Sequence, residues 1–204
     1  GALRREFQVG NSFFNTVWVA TPASTTARDG LGPIYNAVSC SSCHFKDGRG
    51  RGLPEENGVT DVSLLFRLRV KTLAESKEVI PHPVYGGQFQ PQGVPGVPGE
   101  GISTVRFEKI QIQYHDGFFA QLLKPIYSFL ALNYGPFTEA TIASPRVAPQ
   151  MIGLGLIEAI KESDILKNED PFDTDGDGIS GRANRVFSVV NQSITLGRFG
   201  WKAG

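Results

Sequence analysis

The sequence predicts a mainly α-helical fold with long loops and a small β-hairpin or sheet, built as one domain over residues 1–204 with a strand-rich insertion at about 62–134. Three observations predict it. The pentad Cys40-Ser41-Ser42-Cys43-His44, approached through Ile34-Tyr35-Asn36-Ala37-Val38, has the compact spacing of a helical turn. Residues Ala148 to Ile160 carry Met151, Leu154, Ile157 and Glu158 at helical offsets. The 24 glycines and 13 prolines among 204 residues exceed the usual combined share of about 12%, which points to long loops.

In chain order, Phe7, Phe13, Phe14, Val17 and Trp18 recur with helix-like spacing until Thr21-Pro22-Ala23-Ser24-Thr25-Thr26 breaks the pattern, giving a packing segment ahead of the pentad. After it, Lys46-Asp47-Gly48-Arg49-Gly50-Arg51-Gly52 reads as a flexible basic loop. From Leu64 to Lys71 the residues alternate, with Phe66, Leu68 and Val70 on one face and Arg67, Arg69 and Lys71 on the other, the pattern of a half-buried strand. Pro81-His82-Pro83 through Gly99-Glu100-Gly101 form a Gly/Pro-rich excursion that reads as an ordered loop. Val105–Tyr114 and Ile126–Tyr134 read as strands, with Asp116-Gly117 as a hairpin turn signal. In the Ala148–Ile160 helix, Gly153 and Gly155 allow close approach of another backbone or of a bound group.

Twenty Lys plus Arg balance twenty Asp plus Glu, so net charge makes no case for nucleic acid, an anionic membrane or a polyanionic substrate. A hydrophobic share of 40% is enough to bury a core around a large apolar group. No apolar run reaches the roughly eighteen residues of a membrane span. Residues 1–20 lack the apolar stretch of a signal peptide, so the expectation is a mature or trimmed product.

The pentad carries the chemistry. Two cysteines three apart on a helical turn present both sulfurs to the two vinyl groups of one porphyrin, and the imidazole of the next residue meets the iron. This is the attachment pattern of a c-type haem, and Cys40 and Cys43 are the only cysteines in the chain. A zinc site using Cys40, Cys43 and His44 needs a fourth ligand, and neither His82 nor His115 stands at a finger-like spacing. A thioredoxin-like dithiol calls for a strand before the pentad rather than a short helical approach. One covalently bound haem c is expected, with zinc and dithiol as the alternatives. Haem attachment takes place outside the bacterial inner membrane, so the expected location is periplasmic or extracellular. For the other side of the iron, the sole methionine, Met151, would favour electron transfer; His82 is its rival, His115 is weaker, and an open or water-bound position would be the reactive state. The loop arginines are candidate donors to a haem propionate, against the plainer reading of solvated side chains.

A second feature is Asp173-X-Asp175-X-Asp177-Gly178, which supplies carboxylates at positions 1, 3 and 5 and the turn glycine at 6 of a calcium loop. Position twelve is Asn184 rather than Glu, so a calcium ion would need Asn184, carbonyls, water or a ligand from elsewhere. The alternative is an acidic turn whose charge is offset by Arg182 and Arg185.

Several blocks together resemble the di-haem thiol oxidoreductase family of peroxidases, related to di-haem cytochrome c peroxidases and to the MauG class. They are Pro22 to Pro33, the pentad with Lys46-Asp47-Gly48-Arg49-Gly50, Pro83 to Gln88, Ser144 to Pro149, Gly153 to Ile160, Asp175 to Arg182, and Gly197-Arg198-Phe199-Gly200-Trp201-Lys202-Ala203. The resemblance implies a periplasmic redox protein with a cytochrome-c-like helical haem core and peroxide or electron-transfer chemistry. It implies that one haem stores an electron while the other meets peroxide, with a calcium ion between the haems. It also implies a second Cys-X-X-Cys-His beyond the Gly197–Lys202 block, and this sequence runs to Gly204. The expectation is therefore the amino-terminal portion of a di-haem protein, completed by a redox partner protein or second haem-bearing chain, or a single-haem relative. The rival functions are a mono-haem electron carrier and a structural haem subunit of an extracellular assembly. No catalytic residue is assigned at this level.

Overall fold

The computed structural model describes residues 1–71, 79–200 and 203, and the side chains of residues 2 and 3 fall outside the description, as do Trp201 and Lys202 of the family-like carboxyl-terminal block. Strand outweighs helix, 31% against 17%, so the expected mainly α fold with a cytochrome-c-like helical core is corrected to a β-rich one. Two units divide the chain, Gly1–Gln150 and Met151–Gly204.

The first unit begins with α1 (Ala2–Asn15), which ends where Thr16 turns extended. There follow β1 (Ile34–Tyr35), the single-turn α2 (Cys40–Cys43), β2 (Gly58–Val59), β3 (Leu64–Val70), β4 (Gln92–Gly93), β5 (Ile102–Gln113), β6 (Phe119–Leu130) and β7 (Thr141–Val147). These strands pair antiparallel: β1 with β4, β3 with β7, and β5 between β2 and β6. The alternating segment is strand β3 as expected, with Phe66 and Leu68 fully buried and Arg67 and Arg69 exposed. The segment 87–89 lies on its other side, with Leu68 N donating to Gly87 O (3.0 Å) and Phe89 N to Phe66 O (2.9 Å).

Strand β7 was not expected, and the strand expected at Ile126–Tyr134 is instead β6 (Phe119–Leu130); each has a proline that interrupts its pattern. Pro145 lies inside β7 and Pro125 inside β6, each an outer strand of its sheet, where a missing N–H interrupts no ladder. The hairpin at Asp116-Gly117 closes as expected, with Gly117 N donating to Tyr114 O and Tyr114 N to Phe118 O. The core is aromatic: Leu64, Phe66, Leu68, Tyr85 and Phe89 are buried, with Tyr127, Phe129, Leu132 and Phe137 packed against them. Phe66 meets Phe129 edge-on at 5.0 Å, and Phe89 meets the same ring at 5.1 Å. Such edge contacts add about 0.5–1.5 kcal/mol each to the burial of the rings.

The second unit holds α3 (Leu154–Ala159), α4 (Glu162–Leu166) and the hairpin of β8 (Arg185–Ser188) with β9 (Ser193–Leu196). Of the expected Ala148–Ile160 helix only α3 forms. Pro149 disfavours helical backbone at Ala148, and Gly153 at φ +81° caps the helix late. Arg198 donates to Ile157 O (3.4 Å) and Ile160 O (2.6 Å), tying the carboxyl-terminal segment to the end of α3.

Candidate haem-binding site

The pentad folds as one helical turn because Ser39 caps it: its hydroxyl accepts from Ser42 N at 3.1 Å, and His44 N closes the turn on Cys40 O at 3.0 Å. Cys40, Cys43 and His44 all line a cleft of about 470 Å³, within the range of cofactor pockets, walled by Trp18, Ile34, Tyr35, Leu65, Gln90 and Pro149 among others. His44 Nδ1 lies 2.6 Å from Pro149 O. A carbonyl only accepts, so Nδ1 carries the proton and Nε2 is left with its lone pair, the state of an imidazole that ligates a metal through Nε2.

The elements around His44 hold that bond in place. Gly50 N donates to Ala148 O (2.8 Å) and Ala148 N to Ser63 O (3.0 Å), so the loop after the pentad and the strand end before Pro149 are fastened together. Gly50 is required there: a Cβ would stand 2.6 Å from Ser63 Cβ and 2.9 Å from Cys43 O. Phe14, on the last turn of α1, packs its ring 6.1 Å from the His44 imidazole.

The two thiols differ. Cys40 is exposed and Cys43 is buried, with its Sγ 3.4 Å from both Asn36 Nδ2 and Val62 O. Burial pushes the Cys43 thiol above its ordinary value, against a smaller lowering by the Asn36 hydrogen bond. The approach to the pentad is the strand β1 (Ile34–Tyr35), a correction to the short helical approach expected from the sequence. A zinc set is not assembled, since among the described residues the ligand atoms that converge are those of Asp170, Asp173 and Asp175. The sulfurs, the proton-fixed imidazole and the apolar walls fit a covalently attached porphyrin.

One residue of the cleft and its buried neighbour escape the sequence patterns. Gln90 lines the cleft, and its Oε1 is buried with no hydrogen-bond partner. Glu100 is the one buried carboxylic acid among the described residues, 3% exposed. Its carboxylate accepts from Gln90 N while its own N donates to Gln90 O at 2.8 Å. Burial pushes the Glu100 carboxyl up, partly offset by the bond from Gln90. The available signal was a lone carboxylate between Gly99 and Gly101: a Cβ at Gly99 would meet Pro91 O at 2.1 Å, so only glycine lets the chain fold over the acid.

The two other histidines lie elsewhere. His82 is buried against Tyr85 and Phe137, and its Nδ1 accepts from Val84 N (3.2 Å) and Tyr85 N (3.1 Å), away from the cleft lining. His115 is exposed at the hairpin end, and Met151 belongs to the second unit. In that unit the acidic loop turns its carboxylates onto backbone: Asp173 accepts from Gly178 N (3.1 Å), Asp175 from Asp177 N (3.2 Å) and Asp177 from Ile179 N (2.8 Å). Asp170 accepts from the Thr174 hydroxyl and N, which hold its carboxyl below the usual range. Carboxylates converge at Asp170, Asp173 and Asp175, with Asp177 outside the group. Asn184 donates to Ala203 O (2.8 Å), and Arg185 pairs with Glu162 (3.1 Å).

Among the described residues no helix is long and apolar enough to cross a membrane. Neither a curated protein nor a solved structure matches the chain. Residues 3–204 match the family model described as "Di-haem oxidoreductase, putative peroxidase", so the chain belongs to the family of di-haem oxidoreductases of the peroxidase type.

Proposed function

We propose that the cleft carries one c-type haem, bound through Cys40 and Cys43 and ligated by His44, and that the chain is the peroxide-handling and electron-transfer module of a periplasmic or extracellular di-haem peroxidase. The observation that carries this reading is the His44 Nδ1 to Pro149 O bond at 2.6 Å, in a cleft lined by both cysteines. When bound, the haem supplies the redox centre for peroxide reduction. The chain orients and insulates that centre. Pro149, Gly50 and Phe14 fix the imidazole, and Ile34, Leu65 and Trp18 give the cleft apolar wall.

Gln90 and Glu100 favour peroxide chemistry over a pure carrier. A buried amide oxygen without a partner costs about 1–3 kcal/mol and is retained where a ligand satisfies it; the hydroxyl of a hydroperoxide is such a donor. Glu100, with its carboxyl raised by burial and bonded to Gln90 N, is the candidate to hold or release a proton beside the cleft. Electrons come from a redox partner protein or a second haem-bearing chain, because peroxide takes two and one ferrous haem readily gives one.

The test is Gln90→Leu in the haem-bearing protein. Covalent haem should be retained, while the reaction with hydrogen peroxide slows about tenfold, the worth of one hydrogen bond of about 1.4 kcal/mol. An unaltered peroxide reaction together with fast electron exchange supports the electron carrier instead.

A further inference from the structure

The loop that leaves the pentad is held by its backbone. Asp47 N donates to His44 O (3.1 Å), Gly48 N to Phe45 O (3.0 Å) and Gly50 N to Ala148 O (2.8 Å). Within these bonds Lys46 and Asp47 stand at φ +53° and +59°, a left-handed backbone that residues other than glycine keep only where their surroundings impose it. The Phe45 ring, on the residue directly after His44, is left 53% exposed.

Two cations lie over that ring. Lys46 Nζ is 5.7 Å and Arg51 Cζ 5.5 Å from its centroid, within reach of cation–π attraction. Asp61 stands 3.7 Å from Arg51, and that arginine side chain is still 70% exposed. From Phe45 to Leu53 the chain carries Lys46, Arg49 and Arg51 against one carboxylate, Asp47. None of these residues lines the cleft, so their charge is presented to solvent. An exposed aromatic ring with arginine beside it has the composition of an interface centre. Electron-transfer encounters use small interfaces, below about 1,200 Å² in total, and opposite charge speeds their formation.

We propose that Phe45, Lys46 and Arg51 form the docking surface for the redox partner protein, and that the partner presents carboxylates around an apolar centre. The inference rests on the function proposed above and adds the surface and the sign of charge by which the electron donor is recognised. At each encounter the partner's redox centre loses one electron and the ferric iron gains it. A partner seated on Phe45 stands one residue along the chain from His44, the iron ligand of that reading.

The test reads one-electron exchange in the reverse direction. The haem-bearing protein is reduced with dithionite, and stopped-flow spectra follow its oxidation by the acidic copper protein plastocyanin, by ferricyanide, an anion, and by tris(phenanthroline)cobalt(III), a cation. Reversing both charges, Lys46→Glu with Arg51→Glu, should slow plastocyanin about tenfold at low salt and lower the ratio of the ferricyanide rate to the cobalt rate, with the haem spectrum unchanged. The difference from the unsubstituted chain should fade at high salt, which a loss of structure would not do. Phe45→Ser should slow plastocyanin and spare the two small complexes. Where the double variant fails to fold, Lys46→Gln, a change at an exposed side chain, carries the same comparison with a smaller effect. Plastocyanin rates that charge reversal or Phe45→Ser leaves unchanged overturn the docking surface while the haem assignment stands. An unsubstituted chain that retains no covalent haem overturns both.

Discussion

The proximal bond from His44 to Pro149 depends on one glycine. Gly50→Ala places a methyl 2.6 Å from Ser63 Cβ, and overpacking of this kind costs about 1–3 kcal/mol, so urea denaturation should show a loss of that order together with a changed haem spectrum. Glu100 makes a prediction about pH. Its carboxyl is raised in the folded state by burial, so its contribution to stability is fully present below the unfolded value and is lost as pH rises through the folded one. Glu100→Gln keeps an acceptor for Gln90 N and removes the titration; melting temperature against pH should lose that downward step, and peroxide reactivity should fall on the order of a hundredfold or more. A step that persists in the variant assigns it to another group. Cys40, Cys43 and His44 stand out in the sequence by their spacing, and the structure brings the three to one cleft. Gln90 and Glu100 were not legible, because ten residues and a glycine-walled turn separate them and only burial makes them a pair.

The strands account for the correction in fold class. β3 was readable because its two faces differ, Phe66 and Leu68 inward and Arg67 and Arg69 outward. β6 was only partly readable and β7 was missed, since Pro125 and Pro145 break the pattern in sequence while sitting harmlessly on sheet edges. The helix expected at Ala148–Ile160 lost its first turns to Pro149 and Gly153, and Pro149 serves instead as the acceptor for His44. Phe66 holds the aromatic core, and Phe66→Ala should cost about 3–5 kcal/mol by denaturant titration. In the acidic loop the carboxylates are occupied by backbone and hydroxyl donors, so Asp170→Asn should lower the melting temperature, whereas chelation of calcium should leave it unchanged. The lowered Asp170 value adds a pH dependence: its contribution is present above the unfolded value and is lost as pH falls through the folded one. A melting temperature that drops on chelation would instead place an ion among Asp170, Asp173 and Asp175.

At the scale of the whole molecule, membership of a di-haem family sets the electron count. The family implies two haems, and with the one proposed at the pentad the expected outcome is slow peroxide turnover by this chain alone and turnover faster by orders of magnitude when a second haem-bearing chain and a cytochrome donor are supplied. Rapid turnover by the isolated polypeptide contradicts that division of labour. Everything proposed for the cleft rests on covalent attachment at the pentad, and intact-protein mass spectrometry after acid-acetone extraction, followed by peptide mapping, tests it most directly. The account predicts one haem retained on the peptide that holds Cys40 and Cys43, and lost when both are changed to alanine. Haem that extracts freely, or stoichiometric zinc on the same peptide, would contradict it.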